Sequence, residues 1–259
     1  MRRTFLPLAL ALMFAPAAGA QFVAPGATLP VVASLPGLAG TDWRTDVSVV
    51  NLGTTETTIV MLLQPEIRDG APAFEPRQSE PITIPAGRQH TVRNLLGTVF
   101  GLSNTKGGVS ILSTDFEPLV VGARIYTLGD DGGSYGQNVE GVLVANQAWA
   151  PGVTHDDFYR TNLGVFLPID PLPGQAMPFT VSVRNSAGAE VGSGTMVFTR
   201  AGLQQRSLSA FGVGQLLEGF VHVSCHDPGL TWYGYISRVD EVSGDAVFRP
   251  LRGREADLP

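Results

Sequence analysis

Residues 43–53 read WRTDVSVVNLG, and from Tyr159 the chain reads YRTNLGVFLPI, again an aromatic residue, Arg, Thr and an acid or amide ahead of an apolar alternation. The two arginines, Arg44 and Arg160, stand 116 positions apart. Side chains alternate between faces along an extended chain. Arg44, Asp46 and Ser48 therefore share one face with Val47 and Val49 on the other, and Arg160, Asn162 and Gly164 lie opposite Leu163 and Val165. Exchanging Asp46 for Asn162 keeps a hydrogen-bond acceptor and discards the charge, which a catalytic base does not survive. The motif Arg44-Thr45-Asp46 and its counterpart Arg160-Thr161-Asn162 thus read as structural, with Arg tying loop carbonyls or carboxylates to the end of a sheet. A ligand site shared by the two stretches is the alternative.

Working outward, Pro36-Gly37 matches Pro151-Gly152, and Ala86-Gly87 matches Ala201-Gly202. GGVSILSTD (Gly107 to Asp115) matches GFVHVSCHD (Gly219 to Asp227), and Ala123-Arg124-Ile125 matches Ser237-Arg238-Val239. The separations stay between 112 and 116. Self-similarity at a nearly fixed spacing predicts two copies of one unit of seven or eight strands, over 29–141 and 142–253. Gly and Pro make up 50 of 259 residues and punctuate short apolar runs, which is all-β patterning. FTVSVR (Phe179 to Arg184) sets Phe179, Val181 and Val183 against Thr180, Ser182 and Arg184, a strand with one wet face, whereas IVMLLQP (Ile59 to Pro65) is apolar on both faces and fits a central strand. RNLLGTVFG (Arg93 to Gly101) and RSLSAFGVG (Arg206 to Gly214) fit helical turns that cross between sheets. The expected fold is all-β: two tandem immunoglobulin-like or fibronectin-like antiparallel β-sandwiches.

The Pro-Gly step, the aromatic-Arg-Thr-[Asp/Asn] entry and the late [Ala/Ser]-Arg-[Val/Ile] segment resemble the tandem immunoglobulin-like repeats of uncharacterised secreted bacterial proteins. The resemblance covers nearly all of the chain after residue 20. It implies a sandwich fold and an exported location, and it carries no catalytic residues. The Cys-Trp-Cys pattern of antibody domains is absent, so the sandwich architecture alone carries over.

Residues 1–20, MRRTFLPLALALMFAPAAGA, place Arg2 and Arg3 before a short apolar run that ends in small residues, the pattern of a secretory signal peptide. The expected organisation is a signal peptide at 1–20 followed by sandwiches at 21–141 and 142–259. No later segment approaches the ~18 uninterrupted apolar residues of a membrane-spanning helix. Removing Arg2 and Arg3 takes the formal net charge from −6 to −8, which argues against nucleic acid and anionic membranes as partners. A single cysteine, Cys225, excludes an intramolecular disulfide.

Candidates for chemistry are few. GGSYG (Gly132 to Gly136) matches the G-x-S-x-G nucleophile elbow around Ser134, but the elbow needs a helix after it, and QNVEGVLV reads as strand. In VHVSCHD, His222, Ser224 and His226 project opposite Val221, Val223 and Cys225, which predicts a buried thiol and imidazoles too far apart to share a metal. HDDF (His155 to Phe158) and GDDGG (Gly129 to Gly133) lack calcium-loop spacing and read as solvated turns. No metal or cofactor is expected. LTWYGYI (Leu230 to Ile236) sets Trp232 and Ile236 opposite Tyr233 and Tyr235, so an outward pair of tyrosines would form a platform for sugar rings or a protein.

The leading expectation is an exported, non-enzymatic structural or interaction module of the bacterial envelope or extracellular space, meeting an envelope protein or polysaccharide. The alternative is a carbohydrate-binding protein using Trp232, Tyr233 or Tyr235. A hydrolase of unrecognised site comes third.

Overall fold

Period-two burial runs through the chain wherever one strand face is wet. In the computed structural model, which describes residues 24–37, 40–68, 75–129, 132–227 and 230–253, Phe179, Val181 and Val183 are fully buried while Thr180 is exposed. The segment read as a signal peptide and the Asp130-Asp131 pair of GDDGG lie outside the described residues.

The first half contains β1 (Gly26–Pro36), β2 (Asp42–Asn51), β3 (Thr57–Pro65), β4 (Arg77–Gln78), β5 (Ile82–Ile84), β6 (Gln89–Val92), the short helix α1 (Leu95–Phe100), β7 (Thr105–Ser113), β8 (Leu119–Leu128) and β9 (Ser134–Val139). The second contains β10 (Leu143–Ala145), β11 (Gln147–His155), β12 (Tyr159–Leu167), β13 (Met177–Asn185), β14 (Glu190–Phe198), β15 (Gly202–Ser207), a 3₁₀ turn (Leu208–Phe211), β16 (Leu216–Ser224), β17 (Thr231–Asp240) and β18 (Ala246–Pro250). The fold is all-β and sandwich-like, and every ladder is antiparallel. No described helix is long and apolar enough to cross a membrane.

In the first half β7 lies between β1 and β3, with β4 and β5 on the far edge of β3. β8 lies between β2 and β9, with β6 also on β2. A three-residue contact from Ser34–Arg44 to Pro36–Asp42 joins the two groups into one nine-stranded sheet. In the second half β16 lies between β11 and β13, with β14 beyond β13. β17 lies between β12 and the pair β10 and β18, with β15 on the far side of β12.

Two apolar clusters hold these layers. Val47 and Val49, Ile59, Met61 and Leu63, and Val109 and Ile111 meet beneath Leu95 and Leu96 of α1, each at most 1% exposed. In the second half Phe179, Val181 and Val183 meet Val221 and Val223, Leu163 and Val165, with Trp232 and Ile236. β-branched side chains dominate because they fit a pleated surface buried on one side. Both helical turns lie between the strand groups, as RNLLGTVFG and RSLSAFGVG predict. Each ends on a glycine at positive φ, Gly101 at 64° and Gly212 at 80°, whose N–H bonds back to the last turn, a conformation that costs other residues energy.

Alternation fails on β12 and β17, and the reason is tertiary. Val165 faces the second cluster while its neighbour Phe166 enters the first, together with Leu203 and Tyr235, and Tyr233 and Phe248 pack alongside. The β12–β15–β17 layer is therefore apolar on both faces and docks on the first half. Glycines make room for the docking: a Cβ at Gly108 would overlap the Phe166 ring, and one at Gly164 the Tyr235 ring. Polar ties cross the same junction, with Ile67 N–H donating to the Leu203 carbonyl at 2.7 Å and Gln137 Nε2 donating to Ser237 Oγ at 3.1 Å. The short segment after Val139 leads directly into β10, whose Val144 is fully buried in the second cluster.

Pairing corrects one sequence match. Thr45 stands opposite Ile125, but Thr161 stands opposite Arg238, so the ladder is offset by one residue from the aligned triplets. Arg124 therefore lies on the face that carries Asp46, and Arg238 on the opposite face, over the Tyr159 ring.

Candidate functional site

The docked halves leave a cleft of 760 Å3 between them, lined by β1, β7 and β9 on one side and β12, β15 and β17 on the other. Its wall from the first half includes Val31, Ala33, Lys106 and Gln137; the opposing wall includes Asn162, Gln205 and Ser237. Strand periodicity sets this up: Asn162 shares its face with Phe166, and Ser237 with Tyr235, so the polar ends of the docking face continue its apolar centre.

Most of these groups have fixed partners. The Tyr235 hydroxyl, its acidity suppressed by complete burial, donates to Gln205 Oε1 at 2.7 Å, and Gln205 Nε2 has no partner among the described residues. Lys106 Nζ lies 2.9 Å from Glu66 Oε1, and Arg68 approaches the other oxygen of that carboxylate at 2.5 Å. Arg160 Nε lies 2.6 Å from Glu241 Oε1. Asp240 accepts the backbone N–H groups of Ser243 and Val242, which hold its carboxyl below the usual range. Asn162 is 6% exposed, lines the cleft and has no side-chain hydrogen bond among the described residues.

The repeated motif divides its labour. Thr45 Oγ1 accepts from Ala33 N–H and donates to its carbonyl, stapling β2 to β1; Thr161 Oγ1 donates to the Thr154 carbonyl, stapling β12 to β11. Arg44 pairs with Asp42 on its own strand at 2.7 Å, whereas Arg160 reaches the loop carboxylate of Glu241. Asp46 accepts from Asn94 N–H just ahead of α1 and from Arg93. Its counterpart Asn162 lies under the other half, where burying an unpaired charge is costly. That is the physical reason for the lost charge.

Burial overturns the aromatic platform. Trp232 is fully buried with its ring edge-on to Phe179, and Tyr235 is 1% exposed. Tyr233 is half-buried with its ring tilted against Phe166. None of the three forms an exposed stacking surface; Trp232 fills the second cluster, and Tyr235, with Tyr233 alongside, packs into the first.

Ser134 opens β9, opposite Leu128, and Arg124 donates to its hydroxyl and carbonyl at 3.0 Å each. A strand follows it, so the strain and helix N-terminus of an elbow are missing. His155 accepts from Thr161 N–H at 3.2 Å, and burial, with the nearby Arg160 charge, holds its pKa below the usual histidine range. His222 stacks on Trp149 at 4.8 Å and is likewise held down, by burial and then by Arg184. Burial pushes the Cys225 thiol up. Asp156 accepts from the backbone of Phe158 and Tyr159 and serves its own turn. Among the described residues no group of three or more His, Cys, Asp or Glu is placed to hold a metal ion.

The residues that sequence reasoning missed are Lys106, Gln137, Gln205 and Ser237. Two signals bore on the cleft: Lys106 is the only lysine in the chain, and the later of the two similar stretches carries the uncharged Asn162 where the earlier carries Asp46. No family model matches the chain, and a search of the curated proteins returns no match.

Proposed function

We propose that this chain is an exported, non-enzymatic interaction module of the bacterial envelope or extracellular space. In this reading a signal peptide at 1–20 precedes two copies of one immunoglobulin-like sandwich, 21–141 and 142–259, docked as a single body. The observation that carries it is the burial of Phe166, Leu203 and Tyr235 in the first half's cluster. Such a junction removes hinge freedom, so loops from both halves are presented at fixed separation, which lowers the ordering cost of recognition. The matching pairings support duplication: β1–β7–β3 parallels β11–β16–β13, and β2–β8–β9 parallels β12–β17–β18. Pairings of this kind fit the B–E and C–F–G neighbours of an immunoglobulin sandwich. The placement of β3 and β13 before the strand that flanks β2 or β12 departs from it.

Around the cleft mouth, Leu128 and Val242 are 61% and 83% exposed, and Phe158, 64% exposed, adjoins them through the Glu241 N–H bond to its carbonyl. A photo-crosslinking amino acid at Leu128 or Val242, expressed in the native cell, is expected to capture one recurring envelope protein or polymer. A chain that stays free and monomeric at every position and concentration tested would contradict the module.

A further inference from the structure

We propose that the cleft between the halves is a binding site for a neutral saccharide, a segment of one or a few sugar residues. The inference rests on reading the chain as a binding module and names the site and the ligand class. Its size is suitable, since 760 Å3 falls within the range of about 300–1,000 Å3 typical of small-ligand pockets.

Charge selects against ionic ligands. Lys106 and Arg68 share Glu66, while Arg160 pairs with Glu241 beside Asp240, so the formal charges around the cleft cancel. An anion would find both lining cations already engaged. A wholly apolar ligand would bury amides without partners, which is unfavourable.

What remains on offer is amide chemistry. Asn162 lines the cleft at 6% exposure and has no side-chain hydrogen bond among the described residues, which leaves its carbonyl and two N–H groups available to a ligand. Gln205 is pinned through its oxygen by Tyr235 and keeps its N–H groups for the cleft. Gln137 and Ser237 bond each other across the junction at 3.1 and 3.3 Å, and the second N–H and the second lone pair of the Gln137 amide remain for a ligand. Amides and hydroxyls both donate and accept, which matches the hydroxyls of a sugar. Trp43 and Tyr135 line the same space, and aromatic side chains suit the apolar face of a pyranose ring. The combination of uncharged donors and acceptors with aromatic walls is what a neutral polyol bearing one apolar face requires.

The test uses the full chain without residues 1–20 on an array of neutral, sialylated and sulfated oligosaccharides, followed by calorimetry on the best neutral probe. Asn162→Ala and Gln137→Ala are measured beside the wild type, with thermal melts confirming that each variant folds. The expected result is binding to a neutral oligosaccharide that weakens at least tenfold in both variants. Binding unchanged in both folded variants would place the ligand elsewhere and overturn the site. Preference for the charged glycans, collapsing with added salt, would overturn the ligand class, as would an array with no binding at all. A blank array beside a captured partner in the cell-crosslinking experiment would leave the module standing and remove the saccharide alone.

Discussion

Replacing Phe166 by alanine is expected to destabilise the protein by about 3–5 kcal/mol, the range for deleting a fully buried phenylalanine. Its ring is 0% exposed and sits in the first half's cluster although its backbone belongs to the second half. The space it fills is fixed by Gly108, which has no Cβ to exclude it, and by Tyr233 with ring centroids 6.3 Å away. Collapse around the cavity is limited because both flanking layers are strands held by their own ladders. At about 2–4 °C per kcal/mol for a chain of this size, the melting temperature should fall by roughly 6–20 °C. Gly108→Val should act similarly from the opposite side by expelling the ring. A loss below about 1 kcal/mol for Phe166→Ala would mean the face is not docked.

Trp232→Ala is expected to be at least as severe, about 3–5 kcal/mol by chemical denaturation. Trp232 is fully buried among Phe179 and the valines of the second cluster. Its Nε1 has no hydrogen-bond partner among the described residues. Trp232→Phe should therefore be much milder, because it deletes a buried unsatisfied donor whose burden is about 1–3 kcal/mol while keeping most of the apolar surface. The comparison also separates packing from recognition: a residue that stacks on a ligand would lose binding and leave stability unchanged, the opposite of this expectation.

Faces were legible in the sequence wherever one of them meets water. FTVSVR and VHVSC carry their own answer, because Val181, Val183, Val221 and Val223 alternate with polar residues and all four are fully buried. On β12 and β17 both faces are buried, so the alternation separates Trp232 from Tyr233 correctly but cannot say that each face meets a different core. Reading Tyr233 and Tyr235 as a platform failed for that reason: a large aromatic pair looks the same on paper whether solvent or another packed sheet covers it. The offset between Arg124 and Arg238 was hidden too, since register is set by long-range pairing that similar triplets do not encode. The cleft was hardest to see. Lys106, Gln137, Asn162, Gln205 and Ser237 come from five strands, and only docking brings them to one space. The missing charge at Asn162 was the local trace of that docking.

Gln137→Cys combined with Ser237→Cys, treated with a short bismaleimide, tests most directly whether the halves form one body. The two native side chains meet at 3.1 Å across 100 residues of sequence, and the native Cys225 is only 2% exposed. Docked halves predict rapid, nearly complete intramolecular crosslinking of 137 to 237 in the folded monomer, read by peptide mass spectrometry and abolished in denaturant. Two thiols that react singly, with no 137–237 bridge in the native protein, would contradict the docked arrangement.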